Sequence, residues 1–216
     1  NGRRRHQRGN KESNKKKIEL HLDMKLVIGI VGKIRSGKGT VEQILTQKFK
    51  QNGLSVISHR FSDVLRETEK GWNLPTGRET QQKLVLAMRH YFGQDVLAKA
   101  VYSRVLESQS DIIILDGLRW IDADYPLLRN LPNNFLIYVD APAEIRWQRS
   151  LIQDNQKLDE DGASFESFLI RDEAPNERDI LLFKSRADFI IDNSKDSDSL
   201  AAQVSECVKD FILTSF

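Results

Sequence analysis

The stretch from Gly32 to Thr40 reads Gly-Lys-Ile-Arg-Ser-Gly-Lys-Gly-Thr and carries the clearest chemistry in the chain. Glycines at these spacings let a loop curl so that its backbone N–H groups point at the oxygens of a phosphate. Lys38 would reach the β and γ phosphates of a nucleotide, and the Thr40 hydroxyl would hold a magnesium ion. The alternative is a chance glycine-rich turn with an exposed lysine.

Two flanking elements would position this stretch and favour the phosphate site. Residues 25–31 (KLVIGIV) form an apolar run typical of a buried strand, and residues 41–49 repeat apolar side chains at helical spacing. The N-terminus of that helix would add its partial positive charge to the loop. We therefore predict a nucleotide phosphate site formed by Gly32, Arg35, Ser36, Gly37, Lys38, Gly39 and Thr40.

A second candidate pair, Asp63 and Arg66, follows a predicted strand at residues 54–58. Ser62 would cap the helix that carries both residues. Open α/β sheets bind ligands beyond the carboxyl ends of their strands, so the pair is a candidate for substrate binding. An ordinary first-turn acid beside a surface arginine is the alternative.

A third pair, Asp116 and Arg119, follows residues 111–115, the most apolar strand in the chain. Its lack of alternation is typical of a central parallel strand. A carboxylate beside a phosphate loop would hold magnesium or its water shell, and Arg119 would then face an anionic substrate. An ordinary Asp-Gly turn is the alternative.

Other helical segments carry arginines whose role the sequence leaves open. Thr76 and Glu79 have the spacing of a capping box and predict a helix start. Arg78 and Arg89, on that helix, are interpreted as solvated residues, with phosphate contact as the alternative.

The second half of the chain predicts two more strands, at residues 134–139 and 187–192. Arg149 lies on the helix that follows the first of them. Residues 153–164 are polar and charged, which indicates a mobile segment or a plain solvated loop. Arg171 lies on the short helix that comes next.

Taken in chain order, these motifs resemble the adenylate-kinase-like nucleoside monophosphate kinases. The matching segments are Gly32–Thr40, Ser-Asp-Val-Leu-Arg at 62–66, Leu-Asp-Gly-Leu-Arg at 115–119 and Asp-Ala-Pro-Ala-Glu at 140–144. In detail the chain is similar to small archaeal-type proteins described as adenylate-kinase-like or dephospho-CoA kinase-like. The resemblance runs from about Lys25 to the C-terminus.

The resemblance implies an α/β, three-layer P-loop NTPase fold with a five-stranded parallel sheet and a short lid segment at about residues 150–176. It also implies that the γ-phosphoryl of ATP passes, with Mg²⁺, to a small nucleotide-type acceptor such as a (deoxy)nucleoside monophosphate or dephospho-CoA. The implied catalytic residues are Lys38, Arg119, Arg149 and Arg171. The implied acceptor contacts are Asp63, Arg66 and Arg119, and the implied metal ligands are Thr40 and Asp116. The acceptor itself stays open.

Composition limits the class of protein. The 216 residues fit one α/β domain, and no apolar run approaches the roughly 20 residues of a membrane span. The single cysteine, Cys207, excludes an internal disulfide or a cysteine-rich zinc site, so we expect a reducing, cytoplasmic location. A monomer is the default expectation.

Residues 1–23 predict a basic disordered tail, and residues 24–216 the kinase domain. Residues 1–17 hold eight Lys or Arg and one Glu within an overall net charge of +2, so the remainder is net negative. The tail lacks the apolar centre of a secretory signal. It could be an upstream extension or misassigned start, a solvated charge run, or a nucleic-acid or localisation arm.

Phosphoryl transfer needs cations and fixed geometry more than a covalent nucleophile, which suits this set of residues. The alternative function is a nucleotide-binding regulatory or nucleic-acid-associated P-loop ATPase whose basic tail engages phosphates. A scaffold that binds nothing is disfavoured because Lys38, Thr40 and Asp116 are all present.

Overall fold

The computed structural model describes residues 25–154, 164–174 and 177–209. Its strands form one parallel sheet in the order β2-β3-β1-β4-β5. Their bounds are Leu26–Val31 (β1), Val56–Arg60 (β2), Ile112–Asp116 (β3), Asn134–Asp140 (β4) and Phe189–Asp192 (β5). The predicted five-stranded parallel sheet is confirmed. Strand β1, which leads into Gly32, lies at its centre.

Nine helices occur in the described ranges. They are Lys38–Gln51 (α1), Phe61–Gly71 (α2), Arg78–Phe92 (α3), Val96–Glu107 (α4), Asp124–Arg129 (α5), Ala143–Asp154 (α6), Phe165–Asp172 (α7), Ile180–Lys184 (α8) and Ser197–Cys207 (α9). Among these described helices, none has the length and apolar character needed to cross a membrane.

Alternate side chains of the sheet face two separate cores. Val27 and Val31 of β1 pack with α2, α3, α4, α5 and α8 on one face. Ile28 and Ile30 pack with α1 and α9 on the other face, where Cys207 is fully buried. Because strands β1 and β3 are covered on both sides, their sequences are continuously apolar. The result is three layers, with the helix layers on either side of the sheet.

Two predicted helix starts are wrong. Helix α2 begins at Phe61 rather than after Ser62, because Arg60 is both the last residue of β2 and the N-cap of the helix. Helix α3 begins at Arg78, and its N-cap is Gly77 with φ 139° and no side-chain cap. The N–H of this N-cap donates to Glu69 Oε1 at 3.3 Å, so a residue of the preceding helix accepts the hydrogen bond that a local glutamate accepts in a capping box.

Several predictions lie outside the described residues. These are the basic tail at residues 1–23, the start of the domain at Met24, the middle of the lid-like segment at residues 155–163, and Pro175. The proposed division of the chain therefore stays a prediction.

Candidate active site

The loop at residues 32–40 leaves the carboxyl end of β1 and enters α1. Gly37 is the N-cap of α1, with a left-handed φ of 100°. A Cβ added there would lie 2.0 Å from Asn193 Nδ2, so only glycine fits. At Gly39, by contrast, a Cβ would meet no atom of the described chain within 4 Å. Packing inside the protein therefore explains Gly37 but does not explain Gly39, which the sequence had grouped with it.

Lys38, the first residue of α1, turns its amine back into the loop. Its Nζ donates to the carbonyl oxygens of Gly32 at 2.8 Å and Lys33 at 3.2 Å. Burial lowers the pKa of the Lys38 ammonium, and the nearby Asp116 carboxylate partly opposes this shift. The amine is thus held inside the loop by backbone oxygens that an anionic ligand could replace.

Asp116 ends β3 and lies beside Ile30 of β1 in the sheet register. Its Oδ2 is 3.6 Å from the Nε of Arg60, and its Oδ1 is buried and accepts no hydrogen bond from the described residues. Burial raises the pKa of the Asp116 carboxyl, while Lys38 lowers it. The site therefore holds a carboxylate oxygen that is available to a cation or a proton donor.

The donor atoms here fit magnesium. The Asp116 carboxylate and the exposed Thr40 hydroxyl line one cavity, and both are hard oxygen ligands of the kind Mg²⁺ takes. The described residues contain no group of three or more His, Cys, Asp or Glu that could hold a metal. Thr40 and Asp116 would supply two oxygen ligands to an ion that takes its other ligands from phosphate and water.

A cavity of about 680 Å³ opens over the loop. Beyond the loop itself, it is lined by Asp116, Arg119, Arg149, Asn193 and Lys195. The size and the excess of cations over carboxylates suit the triphosphate end of a nucleotide.

A second cavity, of about 240 Å³, lies between α2, α3 and the segment after β3. Its apolar wall includes Phe61 and Trp120, and Gln81 and Gln82 supply polar groups. Arg66, Arg78 and Arg119 also line it. Lys38, Asp116 and Arg119 line both cavities. These three side chains therefore stand where the contents of the two cavities would meet.

Arg149 and Asn193 fix the loop from the side of β5. Asn193 Nδ2 donates to the carbonyl oxygen of Ser36 at 2.7 Å, and Arg149 donates to the carbonyl oxygen of Asn193 at 2.8 Å. The same guanidinium lies 3.5 Å from the carbonyl oxygen of Arg35. Burial lowers the pKa of Arg149. The structure thus brings the predicted Arg149 to the loop.

A buried ion cluster ties α7 to the loop. Asp172 accepts from both terminal nitrogens of Arg146, at 2.6 and 2.9 Å, and from Lys33 Nζ at 2.7 Å. All three side chains are at most 10% exposed. Burial raises the pKa of Asp172, but the hydrogen bonds from Arg146 and Lys33 outweigh it and leave the pKa below its usual value.

The remaining predicted residues are placed less centrally. Arg66 lines the second cavity but donates to Asp63 in an exposed pair, and Asp63 lines neither cavity. Arg171 is exposed on α7, where its Nε donates to the carbonyl oxygen of Ser167 at 3.3 Å. It lines neither cavity, so the roles given to Asp63 and Arg171 stay predictions.

Comparison with known proteins places the chain in a family. No family model matches it. A UPF0200 protein of Pyrobaculum aerophilum is 30% identical over 173 residues, which cover 79% of this chain and 89% of the relative. The chain belongs to the UPF0200 family. A uridine kinase of Latilactobacillus sakei is 26% identical to the present chain over 160 residues, which cover 68% of the present chain and 73% of the uridine kinase.

Solved structures agree on the fold. The TT1252 protein of Thermus thermophilus superposes with a TM-score of 0.57 at 18% identity, covering 85% of this chain and 96% of the other. Shikimate kinase from Bacteroides thetaiotaomicron gives a TM-score of 0.54 at 13% identity, with the same coverage of both chains. The UPF0200 chain therefore has the three-layer P-loop NTPase fold that the sequence predicted.

Sequence reasoning missed several residues of this UPF0200 site. Asn193 follows β5 at the carboxyl edge of the sheet, so the rule that singled out Asp116 could have found it. Glu177, which Arg78 and Arg119 both contact, has no local signal. The interpretation of Arg89 as solvated is wrong: its guanidinium is buried, 4.3 Å from the ring centre of Trp120.

Proposed function

We propose that this UPF0200 protein is an ATP-dependent phosphotransferase that moves the γ-phosphoryl of ATP to a small nucleotide-type acceptor. The observation that carries the proposal is the trio Lys38, Asp116 and Arg119, which lines both cavities. Two cavities joined by two cations and one carboxylate suit a reaction in which a phosphoryl group passes from one bound molecule to another. The sequence likeness to a uridine kinase and the fold likeness to a shikimate kinase support this class of reaction.

The larger cavity would hold ATP. The loop N–H groups and the start of α1 would bind its phosphates, and Lys38 would exchange its backbone carbonyl partners for phosphate oxygens. Mg²⁺ held by Thr40 and Asp116 would neutralise charge on those phosphates. Arg149 lines the same cavity and would add a further positive charge.

The smaller cavity would hold the acceptor. Trp120 and Phe61 offer apolar surface to a ring, Gln81 and Gln82 offer amide groups, and its arginines would attract an anion. A nucleoside monophosphate has a ring for the apolar surface, polar base atoms for the amide groups and an anionic phosphate for the arginines. No covalent intermediate is needed, because positioning and charge neutralisation supply the catalysis in phosphoryl transfer.

One observation favours a second kind of acceptor. Asp116 also lines the smaller cavity, and its buried Oδ1 accepts no hydrogen bond from the described residues. With an acceptor hydroxyl, Asp116 would take the proton as the oxygen attacks the γ-phosphorus, as a dephospho-CoA kinase-like reaction would require.

A coupled ADP-release screen tests the proposal. The acceptors would be AMP, CMP, the dNMPs, dephospho-CoA, uridine and shikimate, and the control variant Lys38→Ala should lose at least ~10³-fold in kcat. Near-normal turnover by Lys38→Ala would contradict the proposal. Tight binding of magnesium ATP, with no acceptor phosphorylated, would instead favour the regulatory or nucleic-acid-associated ATPase.

The two acceptor classes differ in their dependence on Asp116. With a hydroxyl acceptor, Asp116→Asn should abolish transfer at every magnesium concentration, because the proton acceptor is gone. With a phosphate acceptor, excess magnesium should recover part of the rate, because only a metal ligand is weakened.

A further inference from the structure

Glu177 is a fully buried carboxylate at the edge of the smaller cavity. It lies in the segment before α8, and its Oε1 accepts from Arg78 at 3.0 Å and also from Arg119. Arg78 is the first residue of α3, and Arg119 follows β3. One buried oxygen thus joins two arginines that are far apart in the sequence.

The two guanidinium groups are buried on one side and open on the other. Their side chains are 44% and 34% exposed, whereas the side chain of Glu177 is 1% exposed. Both arginines line the smaller cavity. A guanidinium has five N–H donors, so each arginine can hold Glu177 with some of them and present the rest to a ligand.

The charges favour an anionic ligand in front of this pair. Four cations line the smaller cavity: Lys38, Arg66, Arg78 and Arg119. They face two carboxylates, Asp116 on the cavity wall and Glu177 behind two of the arginines, so the cations are in excess. An anion that bridges the guanidinium forks of Arg78 and Arg119 would offset this excess. A phosphate monoester has the charge and the oxygen spacing for bidentate contacts with arginine.

We infer that Arg78 and Arg119 form a clamp for the phosphate monoester of the acceptor, and that Glu177 is the positioning residue that sets their separation. The inference rests on the proposed function, because it assigns the smaller cavity to the acceptor. It adds Arg78 and Glu177 to the site. Lysine cannot replace Arg78, since a point charge cannot span Glu177 and the ligand with a rigid fork.

Isothermal titration tests the clamp with the loop saturated by magnesium and AMPPNP, so that the probes are confined to the smaller cavity. The probes are the matched pairs AMP and adenosine, and CMP and cytidine. In the wild type, at least one monophosphate should bind at least tenfold more tightly than its nucleoside. Arg78→Gln and Arg78→Lys should weaken the monophosphate by about 10- to 100-fold and leave the nucleoside unchanged.

Glu177→Gln should weaken the monophosphate in the same direction, and by more than it changes the affinity for AMPPNP, because Arg119 lines both cavities but Arg78 lines only the smaller one. The matched control is Asp188→Asn, which removes a carboxylate that holds Arg129 and lines neither cavity. It should leave the ratio of monophosphate to nucleoside affinity unchanged. If Glu177→Gln fails to fold, the half-exposed Arg78 variants still decide the question.

The outcomes separate the two proposals. Failure of AMPPNP to bind the wild type would contradict the proposed function. Binding of AMPPNP with no preference for either monophosphate would overturn the clamp alone. A Glu177→Gln variant that melts earlier but keeps the wild-type preference would also overturn the positioning role, because a purely structural residue would behave in that way.

Discussion

Asp172→Asn is the substitution whose effect on stability follows most directly from the structure. The wild-type carboxylate is 2% exposed and accepts hydrogen bonds from Arg146 and Lys33, which are themselves buried. An asparagine of the same shape removes the negative charge and turns an N–H group toward donors. Among the described residues, Arg146 then has no ion-pair partner, and Lys33 keeps only the exposed carboxylate of Glu173, 3.6 Å from its Nζ.

The magnitude can be worked from this geometry. Removing one partner of a buried ion pair costs about 3–5 kcal/mol of unfolding free energy, because an uncompensated charge stays buried. For a chain of this length, 1 kcal/mol shifts the melting temperature by about 2–4 °C, so we expect a loss of roughly 6–20 °C. Lys33→Met combined with Asp172→Asn should recover part of it, since one of the two buried cations is then gone.

The assay is thermal and urea unfolding at pH 7, with Glu79→Gln as control. Glu79 pairs with Lys83 on the exposed face of α3, so that control should not change the melting temperature measurably. The Asp172 carboxyl has a lowered pKa, so its contribution is present above the ordinary value near 4 and is lost as the pH falls through the lowered value. An Asp172→Asn variant within ~1 kcal/mol of the wild type at pH 7 would refute the reasoning.

Three further predictions concern single residues. Gly37→Ala should lower both the ATP affinity and the melting temperature, because the added Cβ would clash with Asn193. Gly39→Ala should leave the melting temperature unchanged, because its Cβ would meet no atom of the described chain, so any loss of ATP affinity there would come from a clash with the ligand. Calorimetry measures the melting temperature, and titration measures the affinity. Lys38→Ala should lower kcat much more than it lowers the melting temperature, because removing the amine leaves only carbonyl oxygens without a partner; equal losses would indicate a structural role. Burial raises the pKa of Asp124 to about 6, so its contribution to stability is complete below pH 4 and is lost as the pH rises through about 6. Relative to Asp124→Asn, the wild type should lose up to about 3 kcal/mol of unfolding free energy across that range, measured by urea titration at each pH. The same pH dependence in both proteins would contradict this prediction.

The strands and the loop were predictable from sequence because their signals are local. The apolar run before Gly32 and the run before Asp116 both form buried parallel strands, within one or two residues of the predicted bounds. The same holds for the glycine at position 37, whose left-handed φ only a residue without Cβ adopts easily. Local chemistry therefore located the loop at residues 32–40 and the carboxylate beside it.

What sequence could not give depends on contacts between distant residues. The predicted capping box of α3 is wrong because the helix has Gly77 as its N-cap, and the N–H of Gly77 donates to Glu69, eight residues away on another helix. Arg89 was misread because Trp120 stacks on it. Glu177 was missed because its partners are 58 and 99 residues away, and no local pattern marks a residue whose ion pairs lie so far along the chain.

The position of Asn193 has a consequence for how the protein is made. The loop is translated early, but β1 is paired on both sides by strands that emerge much later, β3 and β4. Asn193 and Arg149, which hold the loop carbonyls, come later still. Domains fold as units once their long-range partners exist, so a nascent chain released before residue 193 would carry the whole motif and yet lack the contacts that hold the loop in place.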